Sequence, residues 1–531
     1  MGDHTNACLD PQVVINEDPS DRTTSRIING HSNATSRGTR RPFHYTNDVG
    51  QSDADHSALV QRYRYYSRLD PRGDSCMTMP DHVVPASFFS VDPFQADDGK
   101  QSSIVTIFSI WNTMVGASLL TLPWAIQQAG FATAVVVLIV MCAISVYTSL
   151  RIVEAPKFLE AEGCVEFTDV CRYYFGKPGE YASLIFSAIA ILGGAIVYFV
   201  LMCNFLYFTG NVVYGAFEEN KTKEIIDIVN TTLTCDVRCI SDGSSVSRHN
   251  HTTPFEKAWQ LRYTVPVYLA VLLFPMLNIR SPTFFAKFNG LGTVSMMYLM
   301  VFVVAKAAEC GFNMDVTNPA KDTYTKEFLW TFPVLSGTLS LSYFIQNVIL
   351  SILRNQKYPE NNARDVTVAF GLVSLTYIVV GFGFFVAFPV YKSCIADNFL
   401  NNFNAHDILS SVARVFLLFQ LSTVFPLVLY LLRVQLMQFL FLSVYPSLGH
   451  VVTLNLIVVL CCLLFAMFLP QVGNIIRFVG ALSGFAYMFA LPLLVHLWRL
   501  RSQGKLRWWS AAFHGFLIFL GFANFIVQFV V

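Results

Sequence analysis

The first long apolar stretch of the chain, residues 103–127, carries polar and small residues near its middle. They are Asn112, Thr113, Gly116, Ser118, Thr121 and Pro123. A helix in lipid must satisfy its own backbone polar groups, and glycine and proline weaken that hydrogen-bond ladder. Two interpretations are open. One is a face of small residues for close helix packing. The other is a broken helix whose carbonyls at Val115 and Gly116 bind a cation or an ammonium group, while a second half-helix from Ser118 directs its N-terminus toward a carboxylate.

A second stretch, residues 331–353, has an interruption of the same kind. Its small and polar residues are Ser336, Gly337, Thr338, Ser340 and Ser342. Transporters built from inverted repeats place helix breaks at matching positions of two five-helix halves, so the first and sixth segments would correspond. The match favours the broken-helix interpretation. The eighth segment adds a polar group at mid-depth, between Gln420 and Pro426.

The apolar segments have no clear Asp, Glu or Lys at mid-depth. Lys306, Arg414, Arg477 and His496 lie near segment ends, and His514 is expected to be a packing or hydrogen-bonded residue. Binding would therefore depend on carbonyls, hydroxyls, amides and aromatic faces, which suits a zwitterion or Na⁺. No nucleophile–base pair or metal cluster is evident, so an enzyme is not expected.

The composition indicates a membrane protein that spans the bilayer many times. Of 531 residues, 54% are hydrophobic and 13% are charged, whereas soluble domains average about 25% charge. The net charge of +1 gives no indication of a nucleic-acid partner. Eleven hydrophobic segments are predicted, most near the ~20 residues that cross a bilayer. They are 103–127, 131–153, 180–213, 264–279, 290–308, 331–353, 366–389, 408–433, 450–469, 474–497 and 510–531.

Residues 1–102 are polar and without apolar periodicity, which predicts a disordered tail before the membrane domain 103–531. Lys and Arg concentrate in the loops that share a side with this tail, which predicts a cytosolic N-terminus and, with eleven spans, a lumenal C-terminus. The long loop 214–263 on the other side carries three glycosylation sequons, at Asn220, Asn230 and Asn250.

The run from Trp111 to Leu120, followed by Pro123-Trp124 and by Gln127 to Phe131, resembles the amino acid/auxin permease type of transporter. More closely, it resembles the sodium-coupled neutral amino acid transporters of solute carrier family thirty-eight. The resemblance implies an all-α polytopic fold with eleven transmembrane helices. These would form a LeuT-like 5+5 inverted repeat plus one helix, with discontinuous helices 1 and 6.

The resemblance also implies site residues. The amino acid would be bound, mostly through backbone, at Asn112, Thr113, Met114, Val115, Gly116 and Ala117. Asn112 and Thr423 match positions linked to sodium, and no other cofactor is implied. Ala117 departs from the most similar family member, which has Thr there. A disulfide between Cys235 and Cys394 fits the family, with Cys239 as the alternative to Cys235.

The tail has a resemblance of its own. Arg62 to Leu69, followed by Pro80 to Pro85, is similar to the cytosolic tail of the family member that is the lysosomal arginine sensor and transporter. That tail docks on Ragulator and the Rag GTPases, which activate the TOR kinase complex. The docking segment would span about 58–85, and the positions carried over are Tyr63, Tyr66, Leu69, Pro80 and Pro85. Without the resemblance, a disordered tail with incidental aromatics would be preferred.

The expected function is therefore that of a lysosomal membrane transporter and sensor of amino acids, with arginine, leucine or glutamine as ligands. A receptor-like scaffold with little transport and a plain sodium-coupled neutral amino acid symporter are the alternatives. The preference for arginine comes from the resemblance alone, since the sequence shows no mid-membrane carboxylate that could pair with a guanidinium. Cholesterol contact has only a loose motif in its favour, Arg414 to Leu418.

Overall fold

The computed structural model describes residues 101–156, 166–218, 235, 237–239, 254–279, 285, 288–354, 356–404, 407–441 and 446–530. The predicted docking residues lie outside these ranges; they are Tyr63, Tyr66, Leu69, Pro80 and Pro85. The three sequons lie outside them as well, at Asn220, Asn230 and Asn250.

Regular structure within these ranges is helical, apart from three isolated β-bridges. The α-helices are α1 (Ser103–Met114), α2 (Leu122–Ala129), α3 (Phe131–Glu154), α4 (Phe167–Glu218), α5 (Pro254–Ala258), α6 (Thr264–Leu277), α7 (Asn289–Cys310), α8 (Pro333–Ser342), α9 (Ile349–Leu353), α10 (Asn362–Tyr377), α11 (Gly383–Ala387), α12 (Ile408–Phe441), α13 (Leu448–Phe468), α14 (Val472–Gly484), α15 (Leu491–Ser502) and α16 (Trp508–Val527). Two π-helical turns, Ile378–Phe382 and Phe485–Ala490, join α10 to α11 and α14 to α15.

The helices support a multi-pass membrane protein. Within the described ranges, eight are long and apolar enough to cross a bilayer, or nine if the bent pair α1–α2 counts as one span. The two other predicted segments fall short of this length. They are the apolar helix α6 and the interrupted pair α8–α9. Eleven crossings and their arrangement as a 5+5 repeat therefore stay predictions.

The small residues of the sixth segment keep α8 helical and bring it against α14. A Cβ atom added to Gly480 would lie 2.3 Å from the Gly337 carbonyl oxygen, and one added to Gly484 would lie 2.8 Å from Ser340 Cβ. Real Cβ atoms do not approach so closely, so these glycines are required where the helices touch. The packing interpretation thus applies to residues 336–342, as it does in other membrane helix pairs.

The chain enters α1 beside the segment that follows α9. Gln101 forms a β-bridge with Gln356, and its carbonyl accepts a hydrogen bond from the Lys357 N–H at 2.9 Å. Arg364 donates to the Ser103 hydroxyl at 3.3 Å. The last residues of the tail, just before α1, are therefore fixed to the loop between α9 and α10.

The disulfide prediction was wrong in its pairing. Cys394 bonds to Cys239, and Cys235 bonds to Cys310 at the end of α7. The chain from 237 to 239 runs beside 402–403, where Val237 pairs with Phe403, and this alignment brings Cys239 to Cys394. Sequence separation does not reveal that alignment.

Candidate functional site

The first membrane segment breaks where the sequence predicts it. Helix α1 ends at Met114, and α2 follows at an angle of 51°. Val115 and Gly116 depart from helical geometry, with ψ of 84° and −150°. The Gly116 N–H bonds to the Met114 carbonyl only two residues back, at 2.9 Å. A 3₁₀ turn, Ala117–Thr121, then restarts the helix.

The sixth segment breaks later than the sequence suggests. Helix α8 runs to Ser342, past all the small residues, and α9 begins only at Ile349. In the gap, the Ile345 N–H donates to the buried Gln346 side-chain oxygen at 2.9 Å. Gln346 also lies 3.5 Å from the Ser149 hydroxyl of α3. The Gln346 side-chain amide therefore supplies part of the hydrogen bonding that the interrupted helix lacks.

One tyrosine joins the two breaks. The Tyr377 hydroxyl donates to the Ser342 carbonyl at 2.6 Å and lies 3.1 Å from the Met114 carbonyl. These are the last residues of α8 and α1, so two helix C-termini, each partly negative, converge on one point. The Ser118 side chain lies close to the same hydroxyl. Tyr377 itself is fully buried.

A second polar contact lies at the first residue of the predicted amino acid site. The Asn112 side-chain oxygen lies 3.5 Å from the Thr293 hydroxyl of α7. A Cβ added to Gly292 would lie 3.4 Å from that oxygen and 3.0 Å from the Gln420 side-chain nitrogen of α12. The side chains of Asn112 and Gln420 therefore both lie beside Gly292. Thr423, the other residue linked to sodium, is buried and donates to the Gln420 carbonyl at 2.8 Å.

The residues predicted for amino acid binding form one continuous stretch at the first break. Met114, Val115 and Ala117 are buried, and the others are partly exposed: Asn112, Thr113 and Gly116. The Thr113 hydroxyl bonds to the Ser109 carbonyl of its own helix at 2.7 Å. Trp111 is held at the start of this stretch, since its indole N–H donates to the Thr376 hydroxyl at 3.0 Å.

Two tyrosines at the break were not predicted from the sequence. Tyr377 links the helix ends, and the Tyr198 hydroxyl of α4 lies 3.2 Å from the position of a Cβ on Gly116. A tyrosine inside an apolar segment needs a hydrogen-bond partner for its hydroxyl, which is the one sequence signal that singles them out.

A cavity of about 350 Å³ opens beside the second break, between α4, α9, α12 and the second π-helical turn. Asn347 and Val348 of the break line it, together with Glu166, Asp169, Gln435 and Gln438. Glu166 is fixed at its wall by an ion pair with Arg354 at 2.5 Å. The cavity therefore leads from the break toward the end of the bundle where the tail enters.

Two buried cations near the disulfides, Lys306 and Arg414, have polar partners. Lys306 contacts Asp407 at 3.1 Å and Glu309 at 3.0 Å. Arg414 is buried, and it donates to the Leu400 carbonyl at 2.7 Å. Its side chain therefore points into the protein, which removes the basic residue of the cholesterol motif from the lipid surface.

Lys392 is a buried cation in the loop after α11. Its ammonium donates to the Phe385 and Phe388 carbonyls at 2.7 and 2.8 Å, at the C-terminal end of α11. Burial lowers the pKa of Lys392 to about 7. In the same region, the Asp322 carboxylate raises the pKa of the exposed Tyr391 hydroxyl.

Sequence comparisons give matches over most of the chain. The family described as "Transmembrane amino acid transporter protein" matches residues 99–531. A Caenorhabditis elegans protein, "Sodium-coupled neutral amino acid transporter 9 homolog", is 46% identical, covering 93% of this chain and 86% of its own. "Neutral amino acid transporter 9" is 42% identical in Xenopus tropicalis, covering 94% and 96%, and 40% identical in Rattus norvegicus, covering 92% and 94%.

Among solved structures, the "Crystal structure of MhsT in complex with L-phenylalanine" has a similar fold. The TM-score is 0.50 at 12% identity, and the match covers 80% of this chain and 97% of that one. At this identity the likeness concerns the fold, and it agrees with a helical bundle of the LeuT kind.

Proposed function

The chain belongs to the transmembrane amino acid transporter family, within the solute carrier thirty-eight group and beside the transporters named neutral amino acid transporter 9, and from this premise we propose that it binds its amino acid at the junction of the two helix breaks. It is a multi-pass membrane transporter, not an enzyme. The observation that carries the proposal is the meeting of the α1 and α8 ends at Tyr377.

The junction has the polarity that a zwitterion needs. The ends of α1 and α8 offer carbonyls to an ammonium group, while the 3₁₀ turn from Ala117 begins with N–H groups directed at the break, a position that favours a carboxylate. The cavity beside α9 is the path to one side of the membrane. We assign the two breaks to corresponding helices of a 5+5 inverted repeat with eleven spans.

Sodium is the proposed coupling ion. The relatives named sodium-coupled transporters support it, as do the Asn112 side-chain oxygen and the Thr293 hydroxyl, which lie 3.5 Å apart. Thr423 is proposed as a further ligand through its hydroxyl. No other cofactor is required for transport by this mechanism.

The proposed location and signalling role depend on the tail. We propose that the protein resides in the lysosomal membrane with its N-terminus cytosolic and its C-terminus lumenal. There it would sense arginine and signal through Ragulator and the Rag GTPases to the TOR kinase complex. Tyr63, Tyr66, Leu69, Pro80 and Pro85 would contact those partners. The direct entry of the tail into α1, which ends at the break, supports coupling between the site and the tail.

The transport proposal is tested by uptake into liposomes that contain the purified protein. Uptake of labelled leucine and of labelled arginine is measured in a buffer that contains Na⁺ and in one in which choline replaces Na⁺. Gly116→Trp fills the break, where even a Cβ meets the Tyr198 hydroxyl. Gly371→Trp is the control, because a Cβ at this exposed glycine of α10 meets nothing within 4 Å.

We expect saturable, Na⁺-dependent uptake by the wild type and by Gly371→Trp, and its loss in Gly116→Trp. Full uptake by Gly116→Trp would exclude this position of the site. Amino acid binding without uptake would favour the receptor-like alternative. For the tail, Tyr63→Ala combined with Tyr66→Ala should abolish Ragulator pull-down and leave uptake intact; unchanged pull-down would exclude these tyrosines as contacts, and no pull-down by the wild type would favour the plain symporter.

A further inference from the structure

The Tyr377 hydroxyl occupies a position that suits a cation better than a phenol. The carbonyls of Met114 and Ser342 end two helices, so each has the partial negative charge of a helix C-terminus. A phenol is neutral and has one proton to donate. The shorter contact, 2.6 Å to Ser342, takes that proton, so the Met114 carbonyl receives at most a shared proton from the phenol at 3.1 Å, beside the N–H that Gly116 donates to it at 2.9 Å.

An α-ammonium group would satisfy this position more fully. It carries a full positive charge and three N–H donors, so it can donate to both carbonyls at once. Charge-assisted hydrogen bonds are about twice as strong as neutral ones. Binding of the ammonium would therefore displace the hydroxyl, provided that Tyr377 can withdraw. The π-helical turn that begins at Ile378, directly after Tyr377, widens the backbone at this point, and such turns are frequent at functional sites.

We propose that Tyr377 is a placeholder for the substrate's α-ammonium group. In the empty transporter its hydroxyl bridges the ends of α1 and α8, and in the loaded transporter the amine takes over both carbonyls. Tyr377 thus acts as a positioning residue that sets selectivity for ligands bearing an α-amine. This inference rests on the proposed amino acid site and specifies which group of the substrate binds where.

Removal of the hydroxyl tests the placeholder. Tyr377→Phe keeps the ring and removes the hydroxyl from the two carbonyls, so leucine should bind about two- to tenfold more tightly, the range expected for one neutral hydrogen bond. 4-Methylpentanoate, which is leucine without its amine, does not compete with the hydroxyl and should bind as in the wild type. Both affinities are measured on the purified full-length protein, by binding and displacement of labelled leucine.

A neighbouring tyrosine provides the matched control. Tyr343 is equally buried, but its hydroxyl bonds to Ser374 at 2.8 Å instead of a helix end. Tyr343→Phe should change the two affinities in parallel or not at all. A merely structural role for Tyr377 would also move both affinities together, so the split between leucine and its des-amino analogue is the decisive readout.

The outcomes separate the two proposals. Absence of saturable binding of both leucine and arginine to the wild type would refute the amino acid site itself. Wild-type binding with no selective gain in Tyr377→Phe would refute the placeholder alone, as would a gain in Na⁺ affinity without amine selectivity, which would assign the carbonyls to the ion. Should Tyr377→Phe fail to fold, a structure of the wild type with leucine decides: the hydroxyl must have left Met114 and Ser342.

Discussion

The substitution Lys392→Met is expected to change how stability depends on pH. Lys392 is 6% exposed, and its ammonium is held by two carbonyls at the end of α11. Methionine keeps most of the volume and has no titratable group. The variant loses both hydrogen bonds at every pH, which changes its free energy of unfolding by a constant amount. The informative quantity is therefore how the stability difference between variant and wild type changes with pH.

The sign and size of that slope follow from the pKa. Burial lowers the pKa of Lys392 from 10.5 to about 7 in the folded protein. Between these values the unfolded chain holds a proton that the folded protein does not, so folding of the wild type becomes more favourable as pH rises from 7 toward 10.5, and the penalty is fully present below 7. One pKa unit corresponds to about 1.4 kcal/mol, so the wild type should gain about 2–3 kcal/mol between pH 6 and 9 relative to Lys392→Met.

The measurement is thermal unfolding of the purified, oxidised protein at pH 6, 7.5 and 9. The Tm of Lys392→Met minus that of the wild type should fall as the pH rises. The exposed Lys505 gives the control, because Lys505→Met should shift Tm equally at each pH. A difference that stays constant for Lys392→Met as well would show that the ammonium titrates normally and that the reasoning from burial is wrong.

Three further outcomes are expected. Gly480→Val should separate α8 from α14 and cost roughly 1–3 kcal/mol or more, lowering Tm by several degrees, while Gly371→Val on the exposed face of α10 should leave Tm unchanged. Gly292→Ala places a methyl group 3.0 Å from the Gln420 amide, so it should raise the Na⁺ concentration for half-maximal uptake severalfold without lowering Tm; an unchanged Na⁺ dependence would exclude this cluster as the ion site. In Cys239→Ser, non-reducing peptide mapping should find Cys394 as a free thiol, and its pairing elsewhere would contradict the observed connectivity.

The first break was predictable because its cause is local. Gly116 and its polar neighbours cannot sustain a helix in lipid, and the helix ends at Met114. The second break lies farther along the chain than the sequence indicated, because its cause is not local. Gly337 and Ser340 serve the contact with α14, and the interruption moves to Tyr343 and beyond, where Gln346 can replace the ladder.

The joining residue and the cysteine pairs depend on tertiary arrangement. Tyr377 looks like any tyrosine in an apolar helix until α1 and α8 are brought to its hydroxyl. Cys239 and Cys235 lie four positions apart, so only the course of the loop decides which of them reaches Cys394. Hydrophobicity predicts eleven segments, but eight described helices, or nine with the bent pair as one span, are long and apolar enough to cross a bilayer, because α6 and the interrupted pair α8–α9 fall below that length.

The two disulfides impose an order on biosynthesis. Cys310 leaves the ribosome 84 residues before Cys394, since 394 minus 310 is 84. At about 5–20 residues per second, its bridge to Cys235 can close roughly 4–17 s before the second cysteine pair exists. During that interval Cys394 has not yet been synthesised, and Cys239 lies four positions from Cys235 in the chain. The 75-residue loop can therefore close first, and the 155-residue loop can close only afterwards.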